Sequence, residues 1–226
     1  RHEKEWPLAR TRWTRFYLDP TDMRLTAAEP KVSTKLEYET QGEGLLFEIE
    51  VQAPMEITGP AAAKLFLSSD TTDADVFLVL RVFAPDGREV TFHGSNDPRT
   101  PVGLGWLRAS HRKLDAARSL PYRPWHAHEE IQKMIPGKAE ELDIEIWPTC
   151  IVIPAGYRLA LAVRGKDYQY PGEPLVIPGL KYTLTGVGPF LHDHPEDRPQ
   201  NVFGGRNSLH FVPGRQPYVL LPVIPN

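Results

Sequence analysis

The chain has one cysteine in 226 residues, so it cannot form an internal disulfide. A reducing, cytoplasmic setting fits that usage. Cys150 lies in the apolar run Ile146-Trp147-Pro148-Thr149-Cys150-Ile151-Val152-Ile153 and is read as a buried, inert thiol, with a catalytic or metal-binding thiol as the alternative. No apolar run approaches the ~18 residues that cross a bilayer, so no membrane partner is expected. Charge of one sign is also lacking: 26 Lys and Arg stand against 29 Asp and Glu, a net charge of -3. A nucleic-acid surface needs a basic excess, so no nucleic-acid partner is expected. The sequence opens on Arg1 rather than Met, and residues 1–18 carry no apolar run. This reads as a processed product or as a piece of a longer protein.

Proline is abundant, with 23 residues. An interior proline costs a helix about 3 kcal/mol, which excludes a fold of long helices. An apolar content of 41% with so small a net charge also excludes a disordered chain. What remains is strands with proline at turns and strand ends. Alternation supports this. Leu45, Phe47, Ile49 and Val51 form one set, and Leu142, Ile144 and Ile146 oppose Glu141, Asp143 and Glu145 in another. Tyr157, Leu159, Leu161 and Val163 form a third. Residues 76–83 are apolar on both sides, which predicts a strand covered on both faces. Weaker strands are expected over 13–18, 61–68, 88–92, 181–185, 208–212 and 218–224. Helix is plausible only over 112–118 and 127–134. Pro85-Asp86-Gly87 and Pro154-Ala155-Gly156 supply turn chemistry. About ten short strands so punctuated read as a single two-sheet β-sandwich or jelly roll.

Four constellations bear on chemistry. A nucleophile elbow needs Gly-x-Ser-x-Gly. None of the seven serines is so flanked, and Ser95, between Gly94 and Asn96, reads as a loop residue. Two His-x-His pairs occur, His126-Ala127-His128 and His192-Asp193-His194. On a strand such a pair shares one face, as in metal-dependent cupins. Here Gln132 stands where a glutamate ligand might fall, and Pro195 follows the second pair, so loop histidines are the preferred reading. Asp70, Asp73 and Asp75 fall within six residues. They suit either a Ca²⁺ site or a turn whose carboxylates cap backbone N–H groups. Finally, Trp106, Tyr122, Trp125, Tyr168 and Tyr170 lie in or beside loops, where rings serve sugar stacking or padding of a domain interface. Arg10, Arg12 and Arg15, interleaved with Trp6, Trp13 and Phe16, are read as an interdomain contact strip in preference to a nucleic-acid stripe.

Several stretches resemble the C-terminal domain of the X-Pro dipeptidyl-peptidase and CocE–NonD group of serine hydrolases, which includes cocaine esterase and the α-amino-acid ester hydrolases. They are residues 5–13, 57–61, 68–75, 83–88, 105–112 and 123–126. The most specific is Leu142-Asp143-Ile144-Glu145-Ile146-Trp147-Pro148-Thr149, continued by residues 153–159. The likeness covers nearly the whole chain.

The resemblance implies a galactose-binding-like jelly roll over residues 13–226. Residues 1–12 would be the segment leaving an upstream α/β-hydrolase domain, the partner within the same polypeptide. That domain would carry the Ser-Asp-His triad of an esterase or X-Pro dipeptidyl-peptidase. This chain would hold no catalytic residue, cofactor or metal, and would be inactive alone. Its expected role is to pack on the catalytic domain and shape the active-site entrance. Asp73, Asp75 and Phe77 on one loop and Trp125 and His126 on another are the candidates for the contacting rim. With its natural cover missing, the domain is expected to expose an apolar patch and to be capable of self-association. The alternatives are a carbohydrate-binding module and a cupin-like metal enzyme.

Overall fold

The computed structural model describes residues 2–94, 97–174, 176–179, 181, 183–188 and 191–225. The loop assigned to Ser95 and Asn96 lies outside the described residues, as does Tyr182 of the strand expected over 181–185.

Strands dominate, and alternation locates them well. The set from Leu45 becomes β4 (Leu45–Glu50), and the doubly apolar stretch becomes β6 (Asp75–Phe83), buried along nearly its whole length. The set from Tyr157 becomes β10 (Arg158–Arg164). The expected terminal strands are β1 (Arg12–Asp19), β11 (Arg206–Phe211) and β12 (Tyr218–Ile224). Pro85-Asp86-Gly87 turns β6 into the short β7 (Glu89–Val90), with Gly87 at φ 86°. Three strands carry weaker signals: β2 (Arg24–Thr26), β3 (Thr34–Glu39) and β8 (Gly103–Arg108). β2 is too short to show a period, β3 is largely exposed, and two glycines in β8 dilute its pattern.

All these strands join one ladder, folded into two layers around the main core, with a smaller apolar cluster of Val79, Ala162 and Tyr168 beside it. In one layer the long β5 (Met55–Ser69) pairs with β9 (Glu140–Ile153) on one edge, and with β12 and then β11 on the other. β1 flanks β12, and β3 flanks β11. In the second layer β10 lies between β4 and β6, with β7 and β8 on the far edge of β6. The layers are bridged by β2, antiparallel to β1 and parallel to β4. Phe47 of β4 meets Phe211 of β11 across the core, ring centroids 6.3 Å apart. The all-β class read from the sequence is therefore the one observed.

Neither expected helix forms. The segments 112–118 and 123–128 instead bond to each other: Asp115 N–H donates to the Trp125 carbonyl and Ala127 N–H to that of Lys113. The Asp115 carboxylate accepts from the N–H of Ala117 and Arg118, local bonding that competes with a helix. The helical turns lie elsewhere, at Ala109–His111 and Gln200–Phe203. Among the described residues no helix is long and apolar enough to cross a membrane.

The reading of Cys150 is overturned: the thiol is exposed. The cause is a bulge. Gly59 pairs with Thr149 but Ala61 with Ile146, so Trp147 and Pro148 of β9 together face the single Pro60 of β5. An extra residue reverses which side chains face inward. Before the bulge Leu142, Ile144 and Ile146 are buried; beyond it Thr149 and Ile153 are buried, while Trp147, Cys150 and Val152 face out. The Cys150 Sγ lies 3.4 Å from the Thr58 hydroxyl. We expect one equivalent of thiol to react with Ellman's reagent in the native chain as fully as in urea. A thiol that reacts only after denaturation would contradict this placement.

Candidate functional site

Two glycines in β8 allow an unusually close approach to β9. A Cβ on Gly105 would lie 2.1 Å from the Glu145 carbonyl oxygen, and one on Gly103 would press on Ile146 and Leu80. This contact sets the outward-facing Trp106 beside Trp147, ring centroids 4.9 Å apart and tilted by 55°. Both indoles are exposed, at 41% and 58%.

The segment between β10 and β11 folds back over β6 and β8 and is held by charge. Asp75 opens β6 and is 8% exposed. Its carboxylate takes the Arg108 guanidinium in two bonds of 2.9 and 3.1 Å, and meets Arg198 Nε at 2.8 Å. Arg198 also donates to the carbonyls of His192 and Gly165, at 2.5 and 2.6 Å. Arg108 reaches Asp197 as well, and its bond to Asp75 is the largest cause holding its pKa above the usual arginine value. One buried carboxylate thus ties β6, β8 and the returning segment together.

Beneath that segment lies a cavity of about 350 Å³. Phe77, Leu104, Trp106, Trp147, Tyr168 and Val187 give it an apolar wall. Asp97 closes one end, accepting from the N–H of Gly186 and Gly188. At the other, Asp167 accepts from the backbone N–H of His192 at 2.6 Å and pairs with its Nδ1 at 3.0 Å. The His192 ring packs against Phe77 and Trp106. The Thr100 hydroxyl is spent on the Asp97 carbonyl. The site thus offers ring surface and a few polar anchors, suited to holding something.

The sequence candidates fall into two groups. Asp75 and Phe77 border this site, together lining a smaller recess of about 210 Å³ beside Trp106 and His192. Asp73 is buried behind it and caps backbone, accepting from the N–H of Ala74 and Ser110. Trp125 and His126 lie elsewhere, on the loop over the outer face of β9. Arg118 stacks on Trp125 at 3.6 Å, and His126 Nε2 bonds the Asp143 carbonyl at 3.0 Å. Burial holds the His126 pKa below the ordinary imidazole range. Among the described residues no ring contact, ion pair or hydrogen bond joins the two groups.

The cap reading of the acidic run and the loop reading of the histidines are the ones observed. The acidic run is a set of caps and ion pairs: Asp70 accepts from Arg206 N–H, and Asp73 and Asp75 are committed as above. The His126 and His128 rings lie 6.1 Å apart, whereas among the described residues no ring contact joins His192 to His194. His128 meets His111 at 3.1 Å, Nδ1 to Nδ1, while His192 is bound to Asp167. Along the basic stripe Phe16 enters the core and Arg10 pairs with Glu3, while Trp13 and Arg15 stay on the outer face of β1. Trp147, Asp167 and Arg198 were missed. Trp147 sits in the motif of highest specificity, but its exposure depends on the bulge.

Residues 1–219 match the profile of the X-Pro dipeptidyl-peptidase C-terminal non-catalytic domain. A protein of Mycobacterium bovis, provisionally named a serine esterase, is 27% identical over 151 residues. That match takes 65% of this chain and 22% of the relative. A CocE/NonD family hydrolase from Staphylococcus aureus shares the fold at a TM-score of 0.81 and 23% identity, over 99% of this chain and 39% of that one. An aminopeptidase from a Thaumarchaeota archaeon does so at 0.67 and 13%, over 99% and 38%. The chain therefore spans well under half the length of each of these relatives.

Proposed function

Because the chain belongs to the X-Pro dipeptidyl-peptidase C-terminal non-catalytic domain family, we propose that it serves a serine hydrolase as an accessory domain that docks on the catalytic domain and helps shape the active-site entrance. The observation that carries this is the exposed Trp106–Trp147 pair at the mouth of an apolar cavity, on a face braced by a buried ion-pair cluster. Paired exposed tryptophans on a rigid frame are the composition of an interface core. The partner is an α/β-hydrolase domain of the same polypeptide, and residues 1–12 lead from it into the sandwich.

In that domain a serine attacks an ester or amide carbonyl, a histidine moves the proton and an aspartate orients the histidine. The accessory domain adds positioning and water exclusion. Trp106 and Trp147 make the contact. Asp75 and Phe77 hold the wall behind them, and Asp73 fixes the turn into β6. Trp125 and His126 form a second contact edge.

Oxidative footprinting read by mass spectrometry tests this. Trp106 and Trp147 should be labelled in the isolated chain and protected in the longer polypeptide containing it. Equal labelling in both would refute the docking face. The isolated chain should not turn over p-nitrophenyl esters or X-Pro-anilides, and turnover abolished by a serine-reactive phosphonate would refute the accessory role.

A further inference from the structure

Away from that face, three histidines gather where the loop over β9 meets the end of β8. His111 closes the helical turn Ala109–His111, and His126 and His128 stand two residues apart on the loop. Backbone bonds fix both sides. The Ser110 N–H donates to the Asp73 carboxylate at 2.9 Å, the Gln132 N–H to the Ser110 carbonyl at 2.8 Å and the Ala127 N–H to the Lys113 carbonyl at 2.9 Å. His128 adopts φ 54°, a left-handed conformation that His and Asn take up more readily than most residues. The rings of His111 and His128 then lie 5.2 Å apart, centroid to centroid, and their Nδ1 atoms meet at 3.1 Å. Neither Nε2 has a hydrogen-bond partner among the described residues. His126 is committed elsewhere. Its Nε2 faces the Asp143 carbonyl, which can only accept, so that nitrogen carries the proton.

Two facing imidazole nitrogens can be satisfied in two ways. One ring can donate to the other, which requires a proton on one Nδ1 and a lone pair on the other. Alternatively, both rings keep the proton on Nε2, toward water, and aim both Nδ1 lone pairs at one cation. We propose that His111 and His128 form a Zn²⁺ site through their Nδ1 atoms, with water completing the shell. Zn–N bonds of about 2.0–2.1 Å give nitrogens 3.1 Å apart an angle of about 95–102° at the ion. That falls between the right angle of an octahedral shell and the wider angle of a tetrahedral one. Imidazole ligands suit zinc, copper and nickel, whereas magnesium and calcium take oxygen. Glu129 and Glu130, next along the loop, each pair with Lys113 at 3.4 Å. Among the described residues no third histidine, cysteine, aspartate or glutamate joins the pair. The site is therefore an open one, and His128 is exposed for zinc to enter from solvent. Bound zinc would pin the loop carrying Trp125 and His126 to the end of β8. This inference goes beyond the accessory role and does not depend on it.

The test is calorimetric titration of the 226-residue chain with zinc chloride at neutral pH. Saturable binding of one Zn²⁺ per chain is expected, with a dissociation constant below roughly 1 mM and a melting temperature that rises with zinc. His111→Ala and His128→Asn should each weaken binding about tenfold or more, since losing even an outer-shell partner costs a metal site that much. Asn suits the left-handed backbone at 128, so His128→Asn reports lost ligation rather than a lost loop. Zinc should also shift the imidazole NMR resonances of both rings in the native chain, a readout that needs neither variant. His194→Asn, in the other His-x-His pair, should bind zinc as the native chain does. No saturation at millimolar zinc would overturn the proposal and leave the 3.1 Å contact a hydrogen bond between rings. Unchanged affinity in both His111→Ala and His128→Asn would overturn it by placing the zinc elsewhere, and loss in His194→Asn alone would place it at the second pair. None of these results bears on the labelling of Trp106 and Trp147, so the docking face is judged separately.

Discussion

Replacing Asp75 by alanine is expected to destabilise the fold by about 3–5 kcal/mol, the cost of removing one partner from a buried ion pair. The carboxylate has two arginine partners, and Arg198 is itself 8% exposed. Without Asp75, Arg198 keeps two carbonyl acceptors but no buried counter-ion, and Arg108 keeps only the exposed Asp197. At about 2–4 °C per kcal/mol for a chain of this size, the melting temperature should fall by roughly 6–20 °C. Limited proteolysis should show the loss beginning between β10 and β11, since Arg198 fastens that segment. A change in melting temperature of under a degree or two would mean the cluster contributes nothing net.

Phe47→Ala should cost a similar amount, about 3–5 kcal/mol, for a different reason. Phe47 is fully buried and is the β4 half of the ring contact with Phe211 of the opposite layer. Truncation removes transfer energy and leaves a cavity between two layers whose strands are pinned by ladder hydrogen bonds, so collapse into the void is limited. Phe47→Leu keeps most of the volume and should lose far less. The two can be compared by urea denaturation at constant m-value. Equal losses would show that the layers close around the void.

These variants also separate what the sequence makes visible from what it hides. Phe47 belongs to a strand legible by alternation alone, and its burial follows from the pattern. Asp75 stands out only as part of an acidic run. Its role depends on Arg198, far along the chain, and no local period reports a partner brought in by a long return. The same holds for His192, whose neighbour in sequence is His194 but whose partner in space is Asp167. Trp13 shows the intermediate case. It lies on β1, where alternation is readable, whereas the stacking of Tyr122 on it depends on the path of a loop, which no local period reports. The elements were legible because burial imposes a period; the sites were not, because they form where elements meet.

The bulge at Trp147 and Pro148 gives β9 something like a reading frame. Upstream of it even-numbered residues address the core, and downstream odd-numbered ones do. Deleting one of these two residues would remove the bulge and restore strict alternation, leaving Thr149 and Ile153 inward and Cys150 and Val152 outward. Deleting both would shift the downstream frame, turning Cys150 and Val152 inward and carrying Ile153 to the surface. Length variation in this part of the sandwich is thus constrained by parity more than by size.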